Sequence, residues 1–146
     1  NVLLEDFYLG GGKTALEPGE YLQEIRIPIK SGMIYEAFEK LGRRKALAIS
    51  RLNAAVRYTL DQEGNIDWVR VAPGCIFSIP QRSLKAEEVM LGKAPSQELF
   101  CEAGKAVSNE MIEKTGVRWS TAYKQPAIEG VIEKVLSMAA GIWEEA

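Results

Sequence analysis

Between Leu52 and Leu60 apolar side chains recur at every second position, with Ala54, Val56, Tyr58 and Leu60 on one side of an extended chain. That period predicts a β-strand with one buried face. Asp61-Gln62-Glu63-Gly64-Asn65 supplies turn-forming side chains, and Ile66 to Val71 alternates again around Trp68. A hairpin follows, its return strand able to run on through Gly74, Cys75, Ile76 and Phe77. Tyr21 to Ile29 shows the same alternation through Leu22, Ile25, Ile27 and Ile29, with Pro28 marking an edge or a strand end. Met33 to Leu41 is a further candidate strand, although Glu36 to Leu41 also has helix-forming composition.

After Pro80 the period lengthens. Ser83 stands as a candidate N-cap before Leu84 to Leu91, and Gly92 stops that short helix. Ser96 precedes Leu99, Phe100, Ala103, Val107 and Met111, the one-sided stripe of a longer helix. A last helix is predicted from about Ala127 to Glu144, with Ile128, Val131, Ile132, Val135, Leu136 and Ala139 inward. Strands first and helices afterwards predict an α+β fold, a small antiparallel sheet of three to four strands packed against about three helices. Asn1 to Gly19 has little periodicity; Gly10-Gly11-Gly12 and Pro18-Gly19 mark it as a connecting arm with turns.

A length of 146 residues with 47% hydrophobic residues is enough for one domain with a real core. The net charge of -2 argues against nucleic acid as partner, since a phosphate binder carries a basic excess. No apolar run reaches the roughly 18 residues that span a bilayer, and the N-terminus lacks the order of a secretion signal, so a cytoplasmic protein is expected. Cys75 and Cys101 have no neighbouring ligand residues; two buried thiols are expected rather than a metal site. The absence of histidine removes the commonest acid/base group near neutral pH, so no catalytic side chain is assigned.

Local chemistry concentrates in one place. Ile34 to Ser50 sets Arg43, Arg44 and Lys45 after Gly42, a cationic turn between two apolar stretches in which Gly42 permits a backbone conformation closed to other residues. A solvated bend and a cofactor contact both fit that composition. Gly12-Lys13-Thr14 resembles the end of a phosphate-binding loop, but Phe7 stands where that motif needs glycine and no helix follows. Glu87-Glu88 and Glu144-Glu145 read as solvated helix faces, and Trp68, Trp119 and Trp143 as core or interface packing. Arg82 is placed to meet a carboxylate or phosphate, while Arg118 and Tyr123 read as hydrogen-bonding anchors before the last helix.

In order along the chain come Glu5-Asp6-Phe7-Tyr8-Leu9-Gly10, Gly12 to Glu20, Glu24-Ile25-Arg26-Ile27-Pro28, Phe38 to Arg44 with Ala48-Ile49-Ser50, Pro80 with Arg82, and Arg118 with Ser120 and Tyr123. Together they resemble the C-terminal domain of the FAD-binding subunit of molybdenum hydroxylases, the family of xanthine dehydrogenase, aldehyde oxidase and aerobic carbon monoxide dehydrogenase. The resemblance covers nearly the whole chain. It implies a flavoprotein component of an oxidoreductase complex, whose FAD takes electrons from 2Fe-2S clusters reduced at a molybdenum cofactor and passes them to NAD or another acceptor.

The resemblance also implies partners: an upstream FAD-binding domain, an iron-sulfur subunit and a molybdenum-cofactor subunit, the last two holding the clusters and the molybdenum. Residues 1–20 then form the arm from the FAD phosphate-binding domain, and 21–146 the C-terminal domain. The upstream phosphate-binding segments are missing from this sequence, so the isolated chain is expected to be inactive. Leu22 matches an apolar residue near the flavin, and Lys40 the flavin-proximal lysine, with Glu39 as the alternative position one residue earlier. Arg43 and Arg44 belong to the loop beside the ring, where a cation favours negative charge on the flavin. A competing reading is a non-catalytic domain that only docks the other subunits.

Overall fold

The computed structural model describes residues 1–44 and 46–143. Lys45 of the basic turn and the Glu144-Glu145 pair therefore lie outside the described residues. The alternation at the chain's centre builds a three-stranded antiparallel sheet from β3 (Tyr35–Gly42), β4 (Ser50–Leu60) and β5 (Ile66–Gly74), after a short N-terminal hairpin of β1 (Tyr8–Gly10) and β2 (Lys13–Thr14) preceded by one helical turn, α1 (Leu4–Phe7). β4 is central. Its register pairs Phe38 with Ala55 on one side and Ala55 with Ala72 on the other, and Lys40 with Asn53 and Asn53 with Gly74. The expected hairpin forms because Asp61 Oδ1 accepts the backbone N–H of Glu63 and of Asn65, each at 2.9 Å, and Gly64 takes a positive φ of 85°. Pro73 is tolerated because β5 is an edge strand.

Three helices cover one face of this sheet: α2 (Leu84–Met90), α3 (Gln97–Thr115) and α4 (Thr121–Ala139). Leu52, Ala54, Val56, Tyr58, Val69 and Val71 point inward and meet the stripes of Phe100, Ala103 and Val107 on α3 and of Ile128, Ile132, Val135 and Leu136 on α4. Each fully buried aliphatic side chain contributes roughly 1.5–3 kcal/mol relative to exposure. α3 and α4 approach closely at Gly104, where a Cβ would lie 2.8 Å from the Glu129 carbonyl oxygen. Ser96 caps α3 as expected, its Oγ accepting the Leu99 N–H at 3.2 Å.

Several expectations are corrected. Tyr21 to Ile29 forms no strand: among the described residues no backbone hydrogen bond ties residues 21–33 to anything, and Ile25, Ile27 and Ile29 are exposed. The return strand ends at Gly74 because Cys75 adopts φ 65°, which breaks the extended ladder. α4 begins at Thr121, before Pro126; the missing proline N–H deprives only the carbonyl of Ala122, an exposed residue. Ser83 does not cap α2 with its side chain, because its hydroxyl donates instead to Glu110 Oε2 at 2.5 Å. Burial by itself would raise the Glu110 carboxyl, but hydrogen bonds from Lys114 and Ser83 and the Lys114 charge outweigh it and hold the group below the usual carboxylate range.

Glu87 is buried rather than solvated, because its Oε1 accepts the Val71 N–H at 3.0 Å and its Oε2 faces Arg82 and Arg70 at 3.5 and 3.6 Å. Of the two partners left open for Arg82, a carboxylate or a phosphate, the structure supplies the carboxylate. The thiols are not both buried: Cys75 is exposed on its turn and Cys101 half-buried on α3. None of the tryptophans enters the sheet-helix core. Trp68 lies between Lys30 and Arg70 on the outer sheet face, Trp143 faces Lys134 beyond α4, and Trp119 is 92% exposed at the α3–α4 junction. Arg118 is anchored through its Nε to the Thr115 carbonyl at 3.1 Å, whereas Tyr123 makes no side-chain hydrogen bond among the described residues and faces Arg51.

Candidate functional site

Strand alternation decides which charged side chains of β3 reach the uncovered face of the sheet. Glu39 points toward the helices and accepts from Lys134 Nζ of α4 at 3.0 Å, with both side chains about one-quarter exposed. Lys40, its neighbour, therefore points outward. Its Nζ donates to the Ala48 carbonyl at 3.3 Å, which draws the ammonium to the far end of the basic turn.

That turn is held by contacts the sequence did not reveal. Gly42 has no left-handed backbone; glycine is needed there because a Cβ would lie 2.7 Å from Ala48 Cβ. The positive φ falls instead on Leu47, at 50°, whose carbonyl accepts both Arg44 Nε at 3.2 Å and Arg44 Nη2 at 2.6 Å. A bidentate guanidinium thus closes the loop back on itself. Lys40, Leu41, Gly42, Arg43 and Arg44 line a shallow cavity of about 360 Å³, with Lys40, Arg43 and Arg44 all exposed. Leu22 is not brought to it. It sits in the irregular segment before β3, 54% exposed, and lines neither this cavity nor the larger one against the outer sheet face.

The outer sheet face carries one row of Lys40, Asn53 and Gly74 and another of Phe38, Ala55 and Ala72. Asn53 donates through Nδ2 to Ser50 Oγ at 3.0 Å and covers Gly74, where a Cβ would meet its amide at 2.2 Å. A second cavity of about 840 Å³ lies against this face between Leu3, Leu4 and Glu5 on one side and Gly74, Cys75 and Phe77 to Arg82 on the other. Its cations are already neutralised, Arg82 by Glu87 and Lys114 by Glu110. Asn53 escaped the sequence reading because only cross-strand register sets it beside Lys40.

Lys13 lies in the β1–β2 hairpin, which no helix follows directly, so the phosphate-loop geometry is not formed there. Among the described residues no group of three or more histidine, cysteine or acidic side chains is arranged to hold a metal, and no helix is long and apolar enough to cross a membrane.

The profile of the CO dehydrogenase flavoprotein C-terminal domain matches residues 36–139. The nicotinate dehydrogenase FAD-subunit of Eubacterium barkeri is 30% identical over 135 residues, and the glyceraldehyde dehydrogenase medium chain of Sulfolobus acidocaldarius 26% identical over 136. These alignments cover 90% and 92% of this chain but 46% and 45% of those proteins, so the chain spans a little under half of their length. Among solved structures, carbon monoxide dehydrogenase from Hydrogenophaga pseudoflava superposes with a TM-score of 0.80 at 24% identity, covering 96% of this chain and 48% of that one. Quinoline 2-oxidoreductase from Pseudomonas putida 86 gives 0.78 at 22%, covering 94% and 47%. At those identities the structural likeness is one of fold. The profile match, extending over most of the chain, establishes that this protein belongs to the CO dehydrogenase flavoprotein C-terminal domain family.

Proposed function

We propose that this chain is the C-terminal part of the FAD-binding subunit of a xanthine dehydrogenase-type molybdenum hydroxylase, a cytoplasmic oxidoreductase complex, and that its outer sheet face helps to cover the flavin. Residues 1–20 are the arm that arrives from the FAD phosphate-binding domain, and 21–146 the C-terminal unit. The observation that carries this reading is the gathering of Lys40, Arg43 and Arg44 around one shallow cavity at the corner of a face that the helices leave bare. The cavity is shallow and lined by residues 40–44, so a ring lying at its rim would be held by another part of the protein.

FAD, when bound, supplies the electron transfer from the iron-sulfur subunit to NAD or another acceptor. This chain's residues supply position and field. Lys40, drawn toward Ala48, places a cation near the ring edge, and Arg44 holds the loop rigid through Leu47. Arg43 adds exposed positive charge. Leu22 serves as an apolar contact once the segment before β3 is ordered against the flavin-binding domain.

The test uses a chimera in which this chain replaces the matched half of the Eubacterium barkeri subunit. Lys40→Met should lower the flavin reduction potential by about 20 mV or more, roughly 1 kcal/mol for a two-electron couple. An unchanged potential with unchanged acceptor rates would sink the assignment. A second reading, a domain that only docks the iron-sulfur and molybdenum subunits, draws support from the exposed Val117 and Trp119 at the α3–α4 junction. It predicts full flavin occupancy and potential after Lys40→Met, but loss of subunit association after Trp119→Ser.

A further inference from the structure

Two kinds of partner hold the cations of this chain. Lys85, Lys93, Lys114 and Lys134 each meet a carboxylate, as do Arg57, Arg70 and Arg82, and their charges are neutralised within the chain. At the corner of the outer sheet face the partners are carbonyls instead. Lys40 Nζ donates to Ala48 and Arg44 to Leu47, and among the described residues neither cation makes an ion pair. A carbonyl, being a neutral acceptor, fixes an ammonium in place and leaves its charge whole. The neck of the turn is what brings that carbonyl to Lys40. Register is lost between Leu41 and Gly42: Leu41 pairs with Leu52 and Gly42 with Ser50, which leaves Arg51 unopposed as a β-bulge. The returning chain then lies against Gly42, where a Cβ would stand 2.7 Å from Ala48 Cβ, well inside the roughly 3.5–4.0 Å at which carbons pack. Gly42 is not in the left-handed region, so the demand for glycine is one of space alone.

We infer that Gly42 is a positioning residue for Lys40: by leaving room for Ala48, it seats the carbonyl that holds a fully charged ammonium at the flavin edge. The inference rests on the flavoprotein reading above. Lysine has a long side chain with many rotamers, so an exposed ammonium without a partner spreads its charge over many positions. A cation acts on a cofactor ring most strongly when its place is set beforehand. Glu39 is engaged by Lys134 and Glu36 by Arg57, which leaves the Ala48 carbonyl as the group that sets that place. A methyl group on Gly42 pushes Ala48 away and takes its carbonyl from the lysine, while Lys40 itself and the strand that carries it are unchanged.

Flavin potentials in the Eubacterium barkeri chimera test this, together with one contact measured in this chain. Gly42→Ala should move the potential in the same direction as Lys40→Met and by at least half as much. In the Lys40→Met background it should add nothing. Gly42→Ala combined with Ala48→Gly, which removes the colliding methyl, should return the potential to its starting value. A Gly42→Ala shift that persists without Lys40, or that Ala48→Gly does not reverse, overturns the inference, because the glycine then acts through the rest of the turn. An unchanged potential in Gly42→Ala where Lys40→Met shifts it overturns this inference and leaves the flavin reading standing. If Lys40→Met itself changes nothing, the flavin reading fails and this inference with it. Nuclear Overhauser contacts give a readout that needs neither flavin nor the chimera. In this chain the ε-methylene protons of Lys40 should contact Ala48 and Ile49, and Gly42→Ala should abolish those contacts. Their absence from the unaltered chain, or their survival in Gly42→Ala, overturns the inference equally.

Discussion

Residues 21–29 and 52–60 carry the same alternation of apolar and polar side chains, yet the first is exposed along its length and the second supplies the centre of the core. Leu52, Ala54, Val56 and Tyr58 are sealed because β3 and β5 flank them and α3 and α4 cover the face they present. Ile25, Ile27 and Ile29 have neither a flanking edge nor a cover. Periodicity states which face a segment wants to bury. Whether it is buried depends on a surface that other parts of the chain, or another domain, must bring.

Substitutions can break that contrast from either side. Leu52→Ala, at a position with no exposure, should cost about 2–5 kcal/mol in urea denaturation, since the removed atoms leave a cavity the sheet cannot close. A loss no larger than that of Ile27→Ala would mean that the two alternations are equivalent in this chain. Gly104→Ala should cost about 1–3 kcal/mol, because its Cβ meets the Glu129 backbone and forces α3 from α4; wild-type stability would show that the helix cover adjusts freely.

Tyr58 sharpens the buried side. Its hydroxyl is buried without a hydrogen-bond partner among the described residues, so Tyr58→Phe should stabilise by about 1 kcal/mol, relieving an unmade bond. Burial, aided by nearby Tyr35, pushes its phenol from 10.0 up to about 12. The folded value lies above the unfolded one, so this contribution to stability is complete below pH 10 and drains as pH rises toward 12. Tyr58→Phe should flatten the alkaline limb of a denaturation series over that window. The smallest effect belongs to the exposed alternation: Ile27→Asp should shift the isolated chain by less than about 0.5 kcal/mol. A larger loss would show that this segment packs within the chain after all.

Most of the sheet and helices was legible in the sequence because their signals are local. Ser96 caps α3, Asp61 with Gly64 turns the hairpin, and the 3.6-residue stripes of α3 and α4 mark the faces that are buried. The errors arose where a distant residue outbid a local preference. Ser83 gives its hydroxyl to Glu110 on another helix, and Glu87 is drawn inward by Val71 and two arginines. At the candidate site the basic turn and Lys40 were legible. The Arg44–Leu47 closure, the contact between Gly42 and Ala48, and Asn53 were not, since loop closure and cross-strand register leave no periodic trace.

By itself the sequence determined which segments are amphipathic, where they turn and that the local positive charge collects around residues 40–45, because each follows from side-chain chemistry over a few neighbours. Tertiary structure alone decided that Glu39 turns inward to Lys134 while Lys40 turns out, that one alternating segment is core and another bare, and that Asn53 shares a row with the lysine. Those outcomes depend on strand parity and on surfaces far away in sequence. A two-residue period leaves the choice of face open until a neighbour is in place.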